Sequence, residues 1–451
     1  MGGATVREAA SAQVRRICTD SRAIQPGDLF VALTGDKFDG HNFLAEVVQK
    51  GAVAVVVEAG RRPAAWPECG VIEVANTRVA LGKLAAAYRA EFDLPVIAVG
   101  GSNGKTTTKE LVASVLRQKM PTLWSEASFN NDIGVPMTLL KLDATHRAAV
   151  LEVGTNHPGE LAPLVQLIAP RFGVITTIGR EHLEFFGDVA GVAQEEGSLG
   201  EKLPANGKLF LNGDNEWTDR LAARTKAAVV RVGLNEGNVW RARTVQLRTQ
   251  CVTFRVDAPG AEFSGNYRVN LLGRHQVINA LFAIALGAEL GLSRAEIVRG
   301  LEACEPPKMR MQFWETGGVR VLDDAYNANA DSMAAALQVL QELPCKGRRV
   351  AVLGDMAELG AQRDAAHLEV GRRAAAAGVV QLFAVGAMAG VLAKGARAAG
   401  LNRVLEFAEV EAAGGALKSF LKPGDVVLLK ASRSTRLERV TEALRGPELK
   451  N

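Results

Sequence analysis

The stretch Val96-Ile-Ala-Val-Gly-Gly-Ser-Asn-Gly-Lys-Thr-Thr-Thr108 decides the reading of this chain. Four apolar residues of strand length run into a glycine-rich turn, and a helical pattern follows over Lys109–Lys119. Glycines let backbone N–H groups turn inward around a polyphosphate, and the helix N-terminus adds the positive end of its dipole. In such a loop Lys105 reaches the β- and γ-phosphates, and the Thr106 hydroxyl ligates Mg²⁺. The common form of this loop has a further glycine five residues before Gly104, where this chain has Val99. The expected phosphate cradle is therefore a shorter one: Gly101, Ser102, Asn103, Gly104, Lys105, Thr106 and Thr107. A nucleotide loop alone serves kinases, GTPases, motors and ligases equally, so the rest of the chain must decide.

Outward from the loop, short β-branched runs alternate with Ala/Leu-rich helical stretches. Strands are expected at Ala52–Val57, Ala149–Val153, Val174–Thr177, Val350–Leu353 and Val426–Leu429. That alternation marks an α/β chain of βαβ units around mainly parallel sheets. At roughly 150 residues per domain, 451 residues make about three domains. Breaks at Asp93-Leu94-Pro95 and Glu305-Pro306-Pro307 give 1–93, 94–305 and 306–451. Residues 206–270 are richer in short strands and turns.

Composition excludes several classes. Hydrophobic residues at 48% and charged residues at 23% fit a globular chain, and rule out disorder, collagen and a disulfide miniprotein. A net charge of +4, dispersed over the length, argues against nucleic-acid binding and suits small anionic ligands. The five cysteines are scattered and odd in number, which fits a reducing cytoplasm. The N-terminus has no apolar export core, and no run approaches the ~20 apolar residues that span a bilayer.

Two more strand ends carry candidate chemistry. Glu152, in Leu151-Glu-Val-Gly-Thr-Asn-His157, places a carboxylate at a strand's carboxyl end, where a hard cation beside the phosphates needs one. His182, in Thr176-Thr-Ile-Gly-Arg-Glu-His182, can ligate a metal through a neutral ring nitrogen. Taken alone it reads as readily as a structural histidine.

In this order, the loop, the Glu152 segment and the Gly179–His182 segment resemble Mur ligases, ATP-dependent amide-forming enzymes of peptidoglycan synthesis. The likeness continues in Asn212-Gly-Asp-Asn215, in Gly273-Arg-His-Gln-Val-Ile-Asn279 and in Lys308-Met-Arg310. Leu322-Asp-Asp-Ala-Tyr-Asn-Ala-Asn-Ala-Asp-Ser-Met333, Leu353-Gly-Asp-Met-Ala-Glu-Leu-Gly360 and Leu429-Lys-Ala-Ser-Arg433 resemble the D-alanyl-D-alanine-adding branch. Thr19-Asp-Ser-Arg22 and Pro26–Leu33 resemble the uridine-binding front domain. The Asp-x-Pro-Arg motif of the diaminopimelate-adding branch is absent from the sequence.

The resemblance, which spans about residues 19–440, implies three α/β domains: a UDP-binding one, a central ATPase one with a parallel sheet, and a Rossmann-like C-terminal one. It implies a monomeric cytoplasmic enzyme that uses ATP and Mg²⁺ to join UDP-MurNAc-tripeptide to D-alanyl-D-alanine through an acyl phosphate. Lys105, Glu152 and His182 would be catalytic. Ser21 and Arg22 would contact the UDP part. Asn130, Asn131, Gly134 and Pro136 would line the substrate and phosphate cleft. Asn279 would read adenine, Arg310 the phosphates, and Asp324 the ribose or domain closure. Tyr326, Asn327 and Asn329 would take the dipeptide.

Three positions depart from the family pattern. Ala330 stands for Pro and Ala431 for Gly, both in loops. Glu196 stands where the family carries a carbamylated, metal-ligating lysine. Glu196, together with Glu195, is expected to supply the missing anion directly, so the expected metal set is Thr106, Glu152, His182 and Glu196.

Overall fold

The structure is a computed structural model that describes residues 5–7, 13–35, 38–61 and 69–445. The chain divides into two compact units, Met1–Leu94 with Phe129–Ala144, and Pro95–Ser128 with Thr145–Asn451. The first carries one sheet and the second carries two.

In the first unit β1 (Thr5–Arg7), β2 (Arg16–Cys18), β3 (Asp28–Val31), β4 (Ala54–Glu58) and β5 (Gly70–Val74) lie in the order β1-β5-β4-β3-β2. β2 to β5 are parallel and β1 pairs antiparallel to β5. Side chains alternate across β3. Phe30 packs with Val47, Val55 and Val57 on one face, and Leu29 and Val31 pack with Leu81 of the Thr77–Ala90 helix on the other. A strand covered on both faces needs apolar residues along its covered length, which is why Leu29–Val31 of β3 and Ala54–Val57 of β4 read as apolar runs. Ile133, Met137 and Leu140 add to the second face.

The second unit's first sheet holds β6 (Val96–Gly100), β7 (Thr122–Trp124), β8 (Ala148–Glu152), β9 (Phe172–Ile175), β10 (Lys208–Asn212), β11 (Ala228–Gly233), β12 (Trp240–Leu247), β13 (Val252–Asp257) and β14 (Gly265–Val269). Their order is β14-β13-β12-β11-β10-β9-β6-β8-β7. All neighbours from β7 to β12 are parallel; β13 and β14 add an antiparallel edge. β6 lies between β8 and β9, so the chain leaves it in two directions. The carboxyl end of such a strand opens a crevice where ligands bind in α/β sheets.

The unit's other sheet holds β15 (Gln312–Thr316), β16 (Val319–Asp323), β17 (Arg349–Gly354), β18 (Gln381–Val385), β19 (Val404–Phe407) and β20 (Val426–Lys430) in the order β15-β16-β20-β17-β18-β19. It is parallel except for the β15–β16 hairpin. The α/β reading therefore holds, with antiparallel pairing at one edge of each sheet. No helix among the described residues is long and apolar enough to cross a membrane.

One buried carboxylate fixes the start of β17 and β20. Asp425, 1% exposed, accepts from the backbone N–H groups of Arg348 and Lys422 at 2.9 Å each. The Arg348 side chain forks onto it at 2.6 and 3.1 Å. Burial works against its charge, but Arg348 and the two amides outweigh that and hold its pKa below the ordinary value. Asp425→Ala leaves the half-buried Arg348 guanidinium without its carboxylate and two amides without their acceptor, and is expected to cost about 2–4 kcal/mol. A carboxyl depressed in the folded state contributes fully above about pH 4 and loses its contribution as pH falls through the folded value. Chemical denaturation of both proteins from pH 7 to pH 3 should show the gap between them closing only below about pH 4.

Candidate active site

Glycine geometry shapes the phosphate loop. Gly101 and Gly104 have φ of 108° and 86°, a region side chains disfavour. A Cβ on Gly104 would stand 2.7 Å from the Asn279 Oδ1. Gly104 caps a helix over Lys105–Leu116, so the helix begins four residues before the Lys109 expected from sequence. The turn is complete by Gly104, and the threonines after it already carry helical hydrogen bonds, Thr108 N–H to Gly104 at 2.8 Å among them.

Lys105 follows the cap directly. Its side chain is 15% exposed, donates to the Gly101 carbonyl, and lies 3.4 Å from Glu181 Oε2. Burial alone would lower its pKa, but Glu181, Glu196 and Glu152 together raise it, so the ammonium is charged. The Thr106 hydroxyl is 3.2 Å from that of Ser128. Glu152 ends β8 in register with Val99 of β6, is 1% exposed, and donates its backbone N–H to the Ser125 hydroxyl oxygen at 3.1 Å.

Glu196 reaches the loop from the Val189–Glu196 helix. It is 1% exposed, and its Oε2 accepts the Gly101 N–H at 2.7 Å. Burial drives its carboxyl up to about 8, and Glu181 and Glu195 push the same way; Lys105 and the Gly101 amide pull it back. Its Oε1 has no hydrogen-bond partner among the described residues. Glu195 does something else. One residue along a helix is a 100° turn, and Glu195 instead accepts the Gly159 and Leu161 N–H groups at 2.8 Å, at the start of the Leu161–Ile168 helix. The expectation that Glu195 joins Glu196 is corrected.

The Gly179–His182 segment binds the loop on one side and the third sheet's helices on the other. Arg180 donates its N–H and Nε to Asp331 at 2.8 Å each, and Nη1 to Glu369 at 2.8 Å. Glu181 faces Lys105. His182, at φ 48°, turns its Nδ1 to the Glu358 carboxylate, and its Nε2 lies 3.9 Å from Glu181. The ring that was expected to face a metal thus has one nitrogen on Glu358. Among the described residues no group of three His, Cys, Asp or Glu side chains is placed to hold a metal ion by itself. Glu152, His182 and Glu196 are not brought into one cage.

A cleft of about 260 Å³ opens beside the loop. Asn103, Gly104 and Thr107 line it from the loop, Asn279 from the Gln276–Glu289 helix, and Arg310, Asp324 and Lys430 from the third sheet's side. The side chain of Asn279 accepts from Thr108 Oγ1 at 3.2 Å and donates to Gln276 at 2.8 Å. Asp324 accepts from Met311 N–H at 3.0 Å and from Lys430 at 2.6 Å. The Arg310 guanidinium stacks 4.1 Å from the centre of the Tyr326 ring. Asn327 Oδ1 accepts the Ala328 N–H at 2.9 Å. Asn329 caps the Ala330–Glu342 helix through Ser332 N–H at 2.8 Å, and its amide donates to Asn103 Oδ1 at 3.0 Å. Its side chain therefore ties the third sheet's helix to the phosphate loop. The Ser102 hydroxyl accepts the Gly179 N–H at 2.9 Å, which anchors the loop's other side.

In the first unit Ser21 and Arg22 are partly to fully exposed, and Arg22 forks onto Asp20 at 2.7 and 2.9 Å. Asn131, next to Asn130, accepts the Ile133 and Gly134 N–H groups at 3.2 and 2.9 Å, which builds the turn before the Gly134–Leu139 helix.

Residues 13–89 match the Mur ligase family catalytic domain, residues 99–287 the Mur ligase middle domain, and residues 309–433 the Mur ligase glutamate ligase domain. The UDP-N-acetylmuramoyl-tripeptide–D-alanyl-D-alanine ligase of Escherichia coli is 38% identical over 95% of this chain and 93% of its own length. This chain belongs to the Mur ligase family. A crystal structure of MurF from Acinetobacter baumannii superposes with a TM-score of 0.88 at 34% identity, covering 96% of this chain and 94% of that one. MurF ligase from Thermotoga maritima in complex with ADP gives 0.84 at 25% identity, covering 97% and 98%. The three-domain α/β architecture expected from sequence is that of these ligases.

Sequence reasoning missed four residues of this Mur ligase site: Arg180, Glu181, Asp331 and Lys430. Each lay inside a segment already singled out. Arg180 and Glu181 flank His182, but nothing in the sequence says which neighbour faces the loop.

Proposed function

We propose that this chain is an ATP-dependent ligase that joins D-alanyl-D-alanine to the terminal carboxylate of UDP-MurNAc-tripeptide, as a cytoplasmic monomer with Mg²⁺. Residues 1–93 bind the UDP part, 94–305 the ATP, and 306–451 the dipeptide. The observation that carries this reading is the single cleft lined both by the phosphate loop and by Arg310, Asp324 and Lys430. A nucleotide there has residues from both sheets of the second unit on it, as a two-substrate ligase needs. The ligases named for that reaction support the choice of substrates, and the ADP complex of a relative supports the nucleotide. Five free cysteines suit a reducing compartment.

The donors near the loop fit a hard cation. Thr106 and Glu152 offer oxygen, and Glu196 Oε1 is a buried oxygen with a vacant lone pair. Thr106, Glu152 and Glu196 would hold Mg²⁺ with the phosphates, and His182 would join if its ring left Glu358. When bound, the ion neutralises phosphate charge.

The reaction follows from charge. The tripeptide carboxylate attacks the γ-phosphorus, ADP leaves, and an acyl phosphate forms. The dipeptide amine attacks the acyl carbon, its proton passes to solvent, and phosphate leaves. Two anions must meet, so Lys105 does most by lowering their repulsion and orienting the γ-phosphate. Arg310 adds a second cation, and Asn279 and Asp324 hold base and ribose. Tyr326, Asn327 and Asn329 position the dipeptide, Asn329 through its tie to Asn103. Ser21 and Arg22 take the uridine part, and Asn130 and Asn131 shape the loop beside the peptide. Covalent enzyme chemistry is not required; position supplies the rest.

The deciding assay is phosphate release with UDP-MurNAc-tripeptide, D-alanyl-D-alanine and ATP. Release should require both acceptor and donor; release with ATP alone would contradict the reading. Arg180→Ala removes the side-chain links to Asp331 and Glu369 and leaves only the backbone N–H on Asp331, so the third sheet's helices are seated less firmly on the loop segment. A fall of about tenfold in kcat, with the ATP KM within twofold, is expected in the same assay.

A further inference from the structure

Lys430 stands out among the residues that the ligase reading leaves without a task. It ends β20, the strand inserted between β16 and β17, at the sheet's carboxyl edge. Ligands of parallel sheets bind at that edge. The residue is 2% exposed, yet it lines the 260 Å³ cleft.

Its partners do not use it up. An ammonium has three N–H donors. One goes to Asp324 Oδ2 at 2.6 Å and one to the Asn327 carbonyl at 3.0 Å. Among the described residues the third has no acceptor. Charge gives the same answer. Arg310 and Lys430 bring two cations to the cleft, and Arg310 lies near enough to disfavour the lysine's charge. The buried Nε of Arg310 has no hydrogen-bond partner among the described residues. Of the two aspartates on the cleft wall, Asp331 is held by Arg180, which leaves Asp324 for both cations. Burial lowers the Lys430 pKa, as expected where a buried cation has too little counter-charge. A pin between Asp324 and Asn327 needs only a neutral donor. A buried charge is costly unless an anion meets it.

We propose that Lys430 is a substrate-binding residue of the ligase reaction, whose third N–H receives an oxyanion of a substrate in the cleft. The proposal rests on the ligase reading. The oxyanion is a phosphate oxygen of the nucleotide or the terminal carboxylate of the dipeptide, and Arg310 faces the same group. Because Lys430 also holds the Asn327 carbonyl, the oxyanion's seat is fixed to the segment that carries Tyr326.

Lys430→Gln keeps donors for Asp324 and Asn327 but removes the charge. Steady-state kinetics of the full-length enzyme are measured against ATP, against D-alanyl-D-alanine and against D-alanyl-D-alaninamide, with melting temperature as a control for folding. Wild-type activity checks the ligase reading separately, so an inactive wild type indicts that reading and not this residue. A rise of at least tenfold in the ATP KM supports the proposal and assigns the phosphate. A rise of at least tenfold for D-alanyl-D-alanine, without a matching rise for the amide, supports it and assigns the carboxylate. Lys430→Arg, which keeps the charge, should restore most of the loss. An active Lys430→Gln enzyme with every KM within twofold overturns the proposal and leaves Lys430 a structural pin. If that variant does not fold, wild-type enzyme with ¹⁵N-labelled lysine gives the answer. The Lys430 Nζ resonance, identified by its loss in Lys430→Arg, should shift with a non-hydrolysable ATP analogue or with D-alanyl-D-alanine. No shift with either overturns the proposal.

Discussion

Replacing Lys105 with methionine is expected to lower kcat/KM by about 10³-fold, or roughly 4 kcal/mol of transition-state stabilisation. The side chain follows the loop's Gly104 cap and faces three carboxylates, Glu181, Glu196 and Glu152. It is the cation that two anionic substrates must share. Methionine keeps the apolar stem and removes the ammonium. The fold should survive because the site can take up a proton. Glu196 already titrates near 8, chiefly from burial, and Lys105 is the main group holding it down. Without that cation the Glu196 pKa rises further, and the carboxyl stays neutral at pH 7. The sign follows: a carboxyl raised in the folded state lowers stability as pH climbs from its unfolded value to its folded one. The variant should therefore keep losing melting temperature above pH 9, where the loss in wild type has tapered off. Activity within tenfold of wild type would remove Lys105 from the centre of the mechanism.

Glu196→Ala is expected to cost about 100-fold in kcat and to raise the Mg²⁺ concentration for half-maximal rate. Two losses combine. The Gly101 N–H loses its buried acceptor, which costs about 1–3 kcal/mol and loosens the first residue of the cradle. The site also loses a carboxyl with one oxygen left over, which a bound cation would hold in its anionic form. Glu196→Gln separates the two, because it keeps an acceptor for Gly101 and removes the charge. A raised Mg²⁺ requirement in Glu196→Gln, with near-normal melting, assigns the anion. A Glu196→Ala enzyme with unchanged rate and Mg²⁺ dependence would refute the idea that this glutamate stands in for a carbamylated lysine.

The parts legible in the sequence are those fixed by local chemistry. β6 and β8 are buried at every position, so both read as apolar runs, β8 as far as Leu151. Gly101 and Gly104 mark the loop because its turns need positive φ. The helix after the loop begins four residues before the Lys109 that sequence alone indicates, since three threonines in a row read as loop although a glycine cap starts the helix before them. What distance in the chain separates was not legible. Lys430 meets Asp324 across 106 positions and Arg180 meets Asp331 across 151. The roles of Glu195 and Glu196 follow from a 100° rotation that no spacing rule reads from two adjacent glutamates. His182 takes a left-handed backbone without being glycine, which turns its ring to Glu358. Such a conformation persists only where its surroundings impose it.

Oxygen tracing tests the central claim most directly. With ¹⁸O in the terminal carboxylate of UDP-MurNAc-tripeptide, one labelled atom should appear in each inorganic phosphate released, since that carboxylate oxygen bonds to phosphorus before the amine displaces it. Phosphate free of label, with the expelled ¹⁸O found in water or in the nucleotide product, would contradict an attack on the γ-phosphorus over the Lys105 cradle.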